Sequence, residues 1–85
     1  MADKTELQVR VLDNQGTLFD GSCRILFVPT KKDEIAILPL HTPLIGLVGA
    51  GEVKVQTGQG IKVVTKSKSG IIHVGDNIVT VLVNI

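Results

Sequence analysis

The sequence predicts an all-β domain, a small two-sheet β-sandwich or flattened barrel of about eight to ten short, mostly antiparallel strands. Three observations carry that expectation. Apolar runs of strand length recur about every eight to twelve residues, with turn signals between them. Nowhere do apolar residues hold helical spacing for two full turns. Hydrophobic residues make up 44% of the chain, yet Phe19 and Phe27 are the only aromatics among Phe, Trp and Tyr, so the core is built from Val, Ile and Leu. Those branched side chains suit a pleated, half-buried surface.

The elements follow in order. Leu7, Val9 and Val11 alternate with Gln8 and Arg10, the period of a half-buried strand, and Asn14-Gln15-Gly16 ends it with turn residues. A short strand over Thr17 to Asp20 comes next. After Gly21, Cys23 to Val28 reads as one strand with Cys23, Ile25 and Phe27 on one face and Arg24 and Leu26 on the other, stopping at Pro29. Thr30 to Asp33 forms a charged hairpin tip, and Glu34 to Leu38 returns until Pro39 withdraws a backbone donor. Leu44 to Val48 then runs into Gly49-Ala50-Gly51, expected to be a flexible step. Val53 and Val55 begin a strand that Thr57-Gly58-Gln59-Gly60 joins to Ile61–Thr65 as a hairpin. A turn over Lys66 to Ser69 precedes Gly70 to Val74. The last strand, Ile78 to Asn84, follows Gly75-Asp76-Asn77, where the Asp and Asn side chains are expected to bond back to their own turn. Both faces of that strand are apolar, Ile78 and Leu82 against Val79, Val81 and Val83, so one set meets either a second sheet or a partner.

Size and charge narrow the function. The 85 residues, 1–85, make one domain, and a domain of this length buries only roughly 60–65% of the surface its unfolded chain exposes. A formal charge of +1 gives no strong global field and removes the main argument for nucleic-acid binding. Lys54, Lys62, Lys66 and Lys68 face the single acid Glu52 between Gly51 and Gly75. This bias suits an acidic partner, and it equally suits lysines that guard strand edges. Cys23 is alone, so there is no disulfide framework. Met1 to Glu6 is polar, and the longest apolar stretches, Leu44 to Ala50 and Ile78 to Val83, fall far short of the roughly 20 residues that cross a bilayer. Membrane contact is therefore expected only through another protein.

Catalytic chemistry is not legible. His41 and His73 sit on separate elements without a nucleophile elbow or an oxyanion loop. Cys23, His41 and His73 lack the paired short spacings of a zinc site. Gly49-Ala50-Gly51 is followed by no helix that would present its N-terminus to a pyrophosphate. No catalytic residue, cofactor or metal is expected. Cys23 is read as a small core residue, and His73 as the polar face of its strand.

The most informative segment is Asp33 to Ile45, DEIAILPLHTPLI. Pro39 and Pro43 fix their own φ and bias the preceding residue towards extended geometry, which stiffens the corner and directs His41. A stiff corner loses little entropy when a partner binds. His41 either caps its own loop or contacts that partner. The corner resembles the proline-histidine loop of the epsilon subunit of F-type ATP synthases, in which glycine commonly stands at the place of Leu40 and alanine at that of Thr42. Leu18-Phe19-Asp20-Gly21, Gly51-Glu52-Val53-Lys54-Val55, Ser69-Gly70-Ile71-Ile72-His73-Val74 and Ile78-Val79-Thr80-Val81-Leu82 resemble further strand signatures of that family, in the same order. The resemblance spans about Leu7 to Asn84. Family members also commonly carry glycine at the places of Asp33 and Ala36, and a glycine pair at Ser69-Gly70.

The resemblance implies a non-catalytic rotor subunit that couples the gamma subunit to the c-ring during proton- or sodium-driven ATP synthesis. Its place would be peripheral, on the cytoplasmic face of a bacterial membrane or its organellar equivalent. The expected gamma-facing residues are Asp13, Leu40, His41, Thr42, Pro43 and Leu44, and the expected ring-facing residues are Lys31, Lys32, Asp33 and Glu34. Family members usually add a C-terminal helical hairpin, and this sequence stops at Ile85, so neither nucleotide binding nor inhibition by helix insertion is expected of it. The competing reading is a biotinyl- or lipoyl-type carrier domain with Lys68 as the modified lysine, although Ser67 and Ser69 are not the usual flanks. A small peptide- or RNA-binding barrel lacks the aromatics that base stacking needs.

Overall fold

In the computed structural model, which describes residues 5–85, nine strands form two sheets. In chain order they are β1 (Leu7–Asp13), β2 (Gly16–Cys23), β3 (Ile25–Pro29), β4 (Glu34–Ile37), β5 (Leu44–Val48), β6 (Gly51–Thr57), β7 (Gly60–Ser67), β8 (Gly70–Gly75) and β9 (Ile78–Val83). One sheet has the order β2-β1-β9-β8-β5, the other β4-β3-β6-β7. Every pairing is antiparallel except β1 with β9, which run side by side with Val9 opposite Val79 and Val11 opposite Val81. The all-β sandwich expected from the sequence is the observed fold.

The period-two pattern decides what lies inside. Leu7, Val9 and Val11 of β1, Val79, Val81 and Val83 of β9, and Ile72 and Val74 of β8 point inward and meet Leu26, Val28, Ile37, Val53 and Val55 from the other sheet. For β9 this resolves the two-sided apolar pattern: the three valines enter the core, while Ile78, half exposed, and Leu82 lie on the outer face. Each fully buried aliphatic side chain contributes on the order of 1.5–3 kcal/mol of transfer free energy.

Between Cys23 and Val28 the sequence expectation is corrected. Cys23 closes β2, paired with Leu7, and Ile25 opens β3 in the other sheet, paired with Gln56. Arg24 alone makes the crossing, its N–H donating to the Gln56 carbonyl at 2.7 Å. A one-residue bend reverses strand parity. Leu26 and Val28 therefore fill the core, and Phe27 faces outward beneath the Lys54 ammonium, 5.6 Å from the ring centroid. The Gly49–Gly51 step is also corrected, because it is tightly held. Gly49 donates to the Pro29 carbonyl at 2.8 Å, and a Cβ there would sit 2.6 Å from the Thr30 carbonyl carbon. Gly51, at φ +146°, packs against the Pro29 ring.

Gly70 gives the sharpest steric test. A Cβ at this position would collide with the Leu82 carbonyl oxygen on the neighbouring strand, whereas at Gly46 it would make an ordinary 3.6 Å contact with Ile72. Gly70→Ala should cost about 2–3 kcal/mol and Gly46→Ala within about 0.5 kcal/mol, measured by urea unfolding.

Cys23 yields a pH prediction. Burial, followed by the negative charge of Glu6, pushes its thiol from an ordinary 9.0 up to about 11. The folded state keeps the proton that the unfolded chain releases, so the stabilisation is complete below the lower value and is lost as pH rises through the upper one. Urea midpoints should fall between pH 9.0 and about 11 more steeply in the parent than in Cys23→Ala, and equal slopes would refute the assignment.

Candidate functional site

Three surface regions hold the residues that the sequence singles out, and the structure separates them. The first is the proline corner between β4 and β5. β4 ends at Ile37, and the His41 N–H donates to the Leu38 carbonyl at 3.1 Å, closing the turn around Pro39. His41 Nδ1 lies 2.7 Å from the Thr42 carbonyl, so this nitrogen carries the proton and the ring caps its own loop. Leu40 is the apex: it is 63% exposed and sits at φ 62°, the left-handed region that disfavours a side chain. Thr42 and Pro43 are exposed, whereas Leu44 turns inward and packs against the core. The outward residue beside it is Ile45, 76% exposed.

What holds this corner is Asn77, a residue read from sequence only as part of its own turn. Its side chain does not bond back to that turn. Asn77 Oδ1 accepts from the Leu40 N–H at 2.8 Å, and Nδ2 donates to the Glu6 carbonyl at 2.8 Å. Its own carbonyl accepts from the Gln8 N–H at 3.1 Å. One asparagine thus joins the corner, the start of β1 and the β8–β9 turn. Asp76 and Asn77 both have positive φ, 52° and 60°, which Asp and Asn tolerate better than most residues. No local sequence signal announces a partner 37 residues away.

Asp13 is not part of that corner. Leu44 pairs with Val74, Val74 with Val79 and Val79 with Val9, so Asp13 lies four residues further along the strands and three strands across. The offset is roughly 13 Å in one direction and about 14 Å in the other. Its carboxylate accepts from the Gln15 N–H at 2.8 Å and shapes the β1–β2 turn.

The charged tip lies at the same end of the sandwich as Asp13, beside Gly49. Thr30 organises it: its hydroxyl donates to the Asp33 carbonyl at 2.9 Å and accepts from the Asp33 N–H at 3.0 Å. Lys31, Lys32 and Asp33 are exposed. Glu34 is already engaged, 3.0 Å from Lys54 Nζ, which also covers Phe27.

A fourth region was visible in the sequence only as the two-sided pattern of β9. On the outer face of the five-stranded sheet, Leu12 stands opposite Leu82, Leu82 opposite Ile71, and Ile71 opposite Leu47, a row of four aliphatic side chains on four adjacent strands. Leu47 is 74% exposed and Ile71 44%. The next row, Arg10, Thr80, His73 and Ile45, is polar except at the β5 edge, and Arg10 lies 3.8 Å from Asp20. An apolar row rimmed by polar groups is the kind of surface on which interaction sites are found. It offers no chemistry. Among the described residues, no cluster of His, Cys, Asp or Glu is placed to hold a metal ion, and no helix is long and apolar enough to cross a membrane.

The pattern of the family described as "ATP synthase, Delta/Epsilon chain, beta-sandwich domain" matches residues 6–85. The chain belongs to this family. The ATP synthase epsilon chain of Psychrobacter arcticus is 38% identical over 76 residues, covering 89% of this chain and 55% of that protein. The chain thus spans about half the length of the curated relatives it matches. Among solved structures, a chain of the Euglena gracilis mitochondrial ATP synthase (OSCP, F1 and c-ring) superposes with a TM-score of 0.79 at 15% identity, over 98% of this chain and 53% of that one. A chain of the Tetrahymena thermophila mitochondrial ATP synthase central stalk and c-ring gives 0.69 at 13% identity, over 96% and 66%. At such identities the superpositions show the fold.

Membership in the epsilon family displaces the carrier-domain reading. Lys68 sits in the β7–β8 turn, its N–H donating to Asn84 Oδ1 at 2.8 Å. Of the places where epsilon chains commonly carry glycine, Leu40 has the left-handed backbone, while Asp33 and Ala36 do not.

The asparagine clamp yields a graded prediction. Asn77→Gly keeps the backbone conformation and loses both side-chain bonds, and should cost about 1–3 kcal/mol. Asn77→Asp keeps the acceptor for Leu40 and loses the donor to Glu6, and should fall between. Amide exchange at Leu40 should accelerate in Asn77→Gly and stay slow in Asn77→Asp.

Proposed function

We propose that this domain is a non-catalytic rotor component of an F-type ATP synthase, held in the central stalk between the gamma subunit and the c-ring. The observation that carries the proposal is the coincidence of epsilon-family membership over residues 6–85 with an aliphatic row that crosses four strands on the outer face of the five-stranded sheet. In this reading the gamma subunit covers the outer face of the β1-β9-β8-β5 sheet and the corner around Leu40, His41, Thr42 and Pro43. The tip of Lys31, Lys32 and Asp33 rests on the polar loops of the ring, with Glu34 kept in place by Lys54. Membrane association follows through the complex, in bacteria or organelles. The role requires stiffness, because torque through a soft spacer is lost as deformation. A close-packed valine and leucine core compresses little.

Charge at the tip sets register more than affinity, since each exposed pair contributes about 0–1 kcal/mol. The row supplies the binding energy. Titration calorimetry against isolated gamma subunit tests the division. Ile71→Asp places a charge in the middle of the row at a 44% exposed position, so the domain stays folded, and affinity should drop by about tenfold or more. Lys31→Glu with Lys32→Glu should leave gamma affinity unchanged and reduce retention on purified c-ring. Unchanged gamma affinity in Ile71→Asp refutes the placement.

A further inference from the structure

The two sheets have four edge strands, β2, β5, β4 and β7, and three of them are guarded against pairing with a foreign strand. β2 carries Asp20 and is distorted by a bulge opposite Val11 and Leu12. β4 is four residues long, begins with Glu34, and is followed within two residues by Pro39. β7 carries Lys62 and Lys66 and is itself bulged at Val64, opposite Val53 and Lys54. Charges, bulges, brevity and proline are the usual means by which edges avoid joining other chains. β5, although only five residues long and directly preceded by Pro43, has neither charge nor bulge. It pairs regularly with β8 over all five residues, and from Thr42 to Ala50 there is no charged side chain. Its outward residues, Ile45 and Leu47, are 76% and 74% exposed.

We infer that the β5 edge is a strand-addition site and that its occupant is β5 of a second copy of this chain, paired antiparallel about a two-fold axis at Gly46. The sequence is self-complementary in that register. Ile45 of each copy stands opposite Leu47 of the other on the outer face, and Leu44 opposite Val48 on the inner face. No like charges meet, and Gly46 meets itself without a side chain. The pairing is bounded at both ends. Pro43 has no N–H to offer, and the Gly49 N–H is already committed to the Pro29 carbonyl. The union joins two five-stranded sheets into one continuous sheet and brings the two aliphatic rows, each ending at Leu47, end to end. A five-residue seam is small, so the dimer forms only at high concentration. The inference does not depend on the rotor assignment, because it uses only the edge of the isolated domain.

Sedimentation velocity of the 85-residue chain between about 10 µM and about 1 mM, the range in which small interfaces dissociate, tests it. A concentration-dependent monomer–dimer equilibrium is expected. Leu47→Lys and Ile45→Lys should each weaken it by about tenfold or more. Ile61→Lys on the β7 edge and Ile78→Lys on the outer face away from β5 should leave it unchanged, and all four positions are exposed enough to keep the fold. Amides of Leu44 to Val48 should gain exchange protection on dimerisation. A monomer throughout the range, or a dimer broken by Ile78→Lys or Ile61→Lys as much as by Leu47→Lys, overturns the proposal. Gamma binding retained by a chain that never dimerises would refute the edge pairing and leave the rotor reading standing.

Discussion

The structure depends on β9 lying between β1 and β8. It is the middle strand of the five-stranded sheet, and Val79, Val81 and Val83 are fully buried. Its parallel contact with β1 joins the first and last strands of the chain. The remaining strands pair with neighbours in antiparallel fashion, yet hairpins alone do not close this sheet. The core is complete only when the last strand pairs with a first strand some seventy residues away in the chain, and so distant a contact makes formation of the block cooperative. The proposed rotor role needs that property, because a mechanical spacer cannot yield piece by piece.

Both ends of β9 are fastened in the same way. Asn77, just before it, ties the proline corner and the entry to β1. Asn84, just after it, donates from Nδ2 to the Lys66 carbonyl at 3.0 Å, accepts from the Lys68 N–H on Oδ1, and donates its backbone N–H to the Ser69 carbonyl at 2.9 Å. Both residues adopt left-handed backbone, at φ 60° and 55°. The short amide satisfies a donor and an acceptor at once, and asparagine enters this region with little strain. The two asparagines therefore set the loops at opposite ends of the sandwich while the valines between them fill its centre. The corner that carries His41 inherits its position from Asn77, not from the prolines alone.

Much of this was legible in the sequence, and the reason is the period of a strand. Alternation identified β1 and the two apolar faces of β9, because burial on one face repeats every second residue, but which face of β9 turns inward only the fold decides. The Thr57-Gly58-Gln59-Gly60 turn marked the β6–β7 hairpin. Alternation failed at Arg24, where a single residue carries the chain from one sheet to the other and exchanges inside for outside. It also misjudged Gly49 to Gly51, where glycine serves close approach to Thr30 and Pro29 and not flexibility. Of the site, the corner and tip could be named from their prolines and charges. The Asn77 clamp could not, since hydrogen bonds across 37 and 71 residues leave no local trace. Nor could the distance between Asp13 and the corner, which depends on strand order.

The aliphatic row follows from the same alternation carried one step further. In a sandwich that functioned alone, the residues facing away from the core on β5, β8, β9 and β1 would be polar, as Gln8, Arg10 and Thr80 are. Ile45 and Ile78 depart from that pattern singly, whereas Leu12, Leu82, Ile71 and Leu47 break it in register on four adjacent strands, so these four add up to a continuous stripe. Isolated exposed aliphatics are ordinary on protein surfaces, and a stripe in register is not. The stripe ends on β5, the one strand edge without charge or bulge among the four, so the apolar face and the open edge meet at Leu47 and Ile45. A partner that covers the face also screens the edge. Before such a partner is present, the edge is the part of the molecule with unpaired backbone groups and no charge to discourage a second strand.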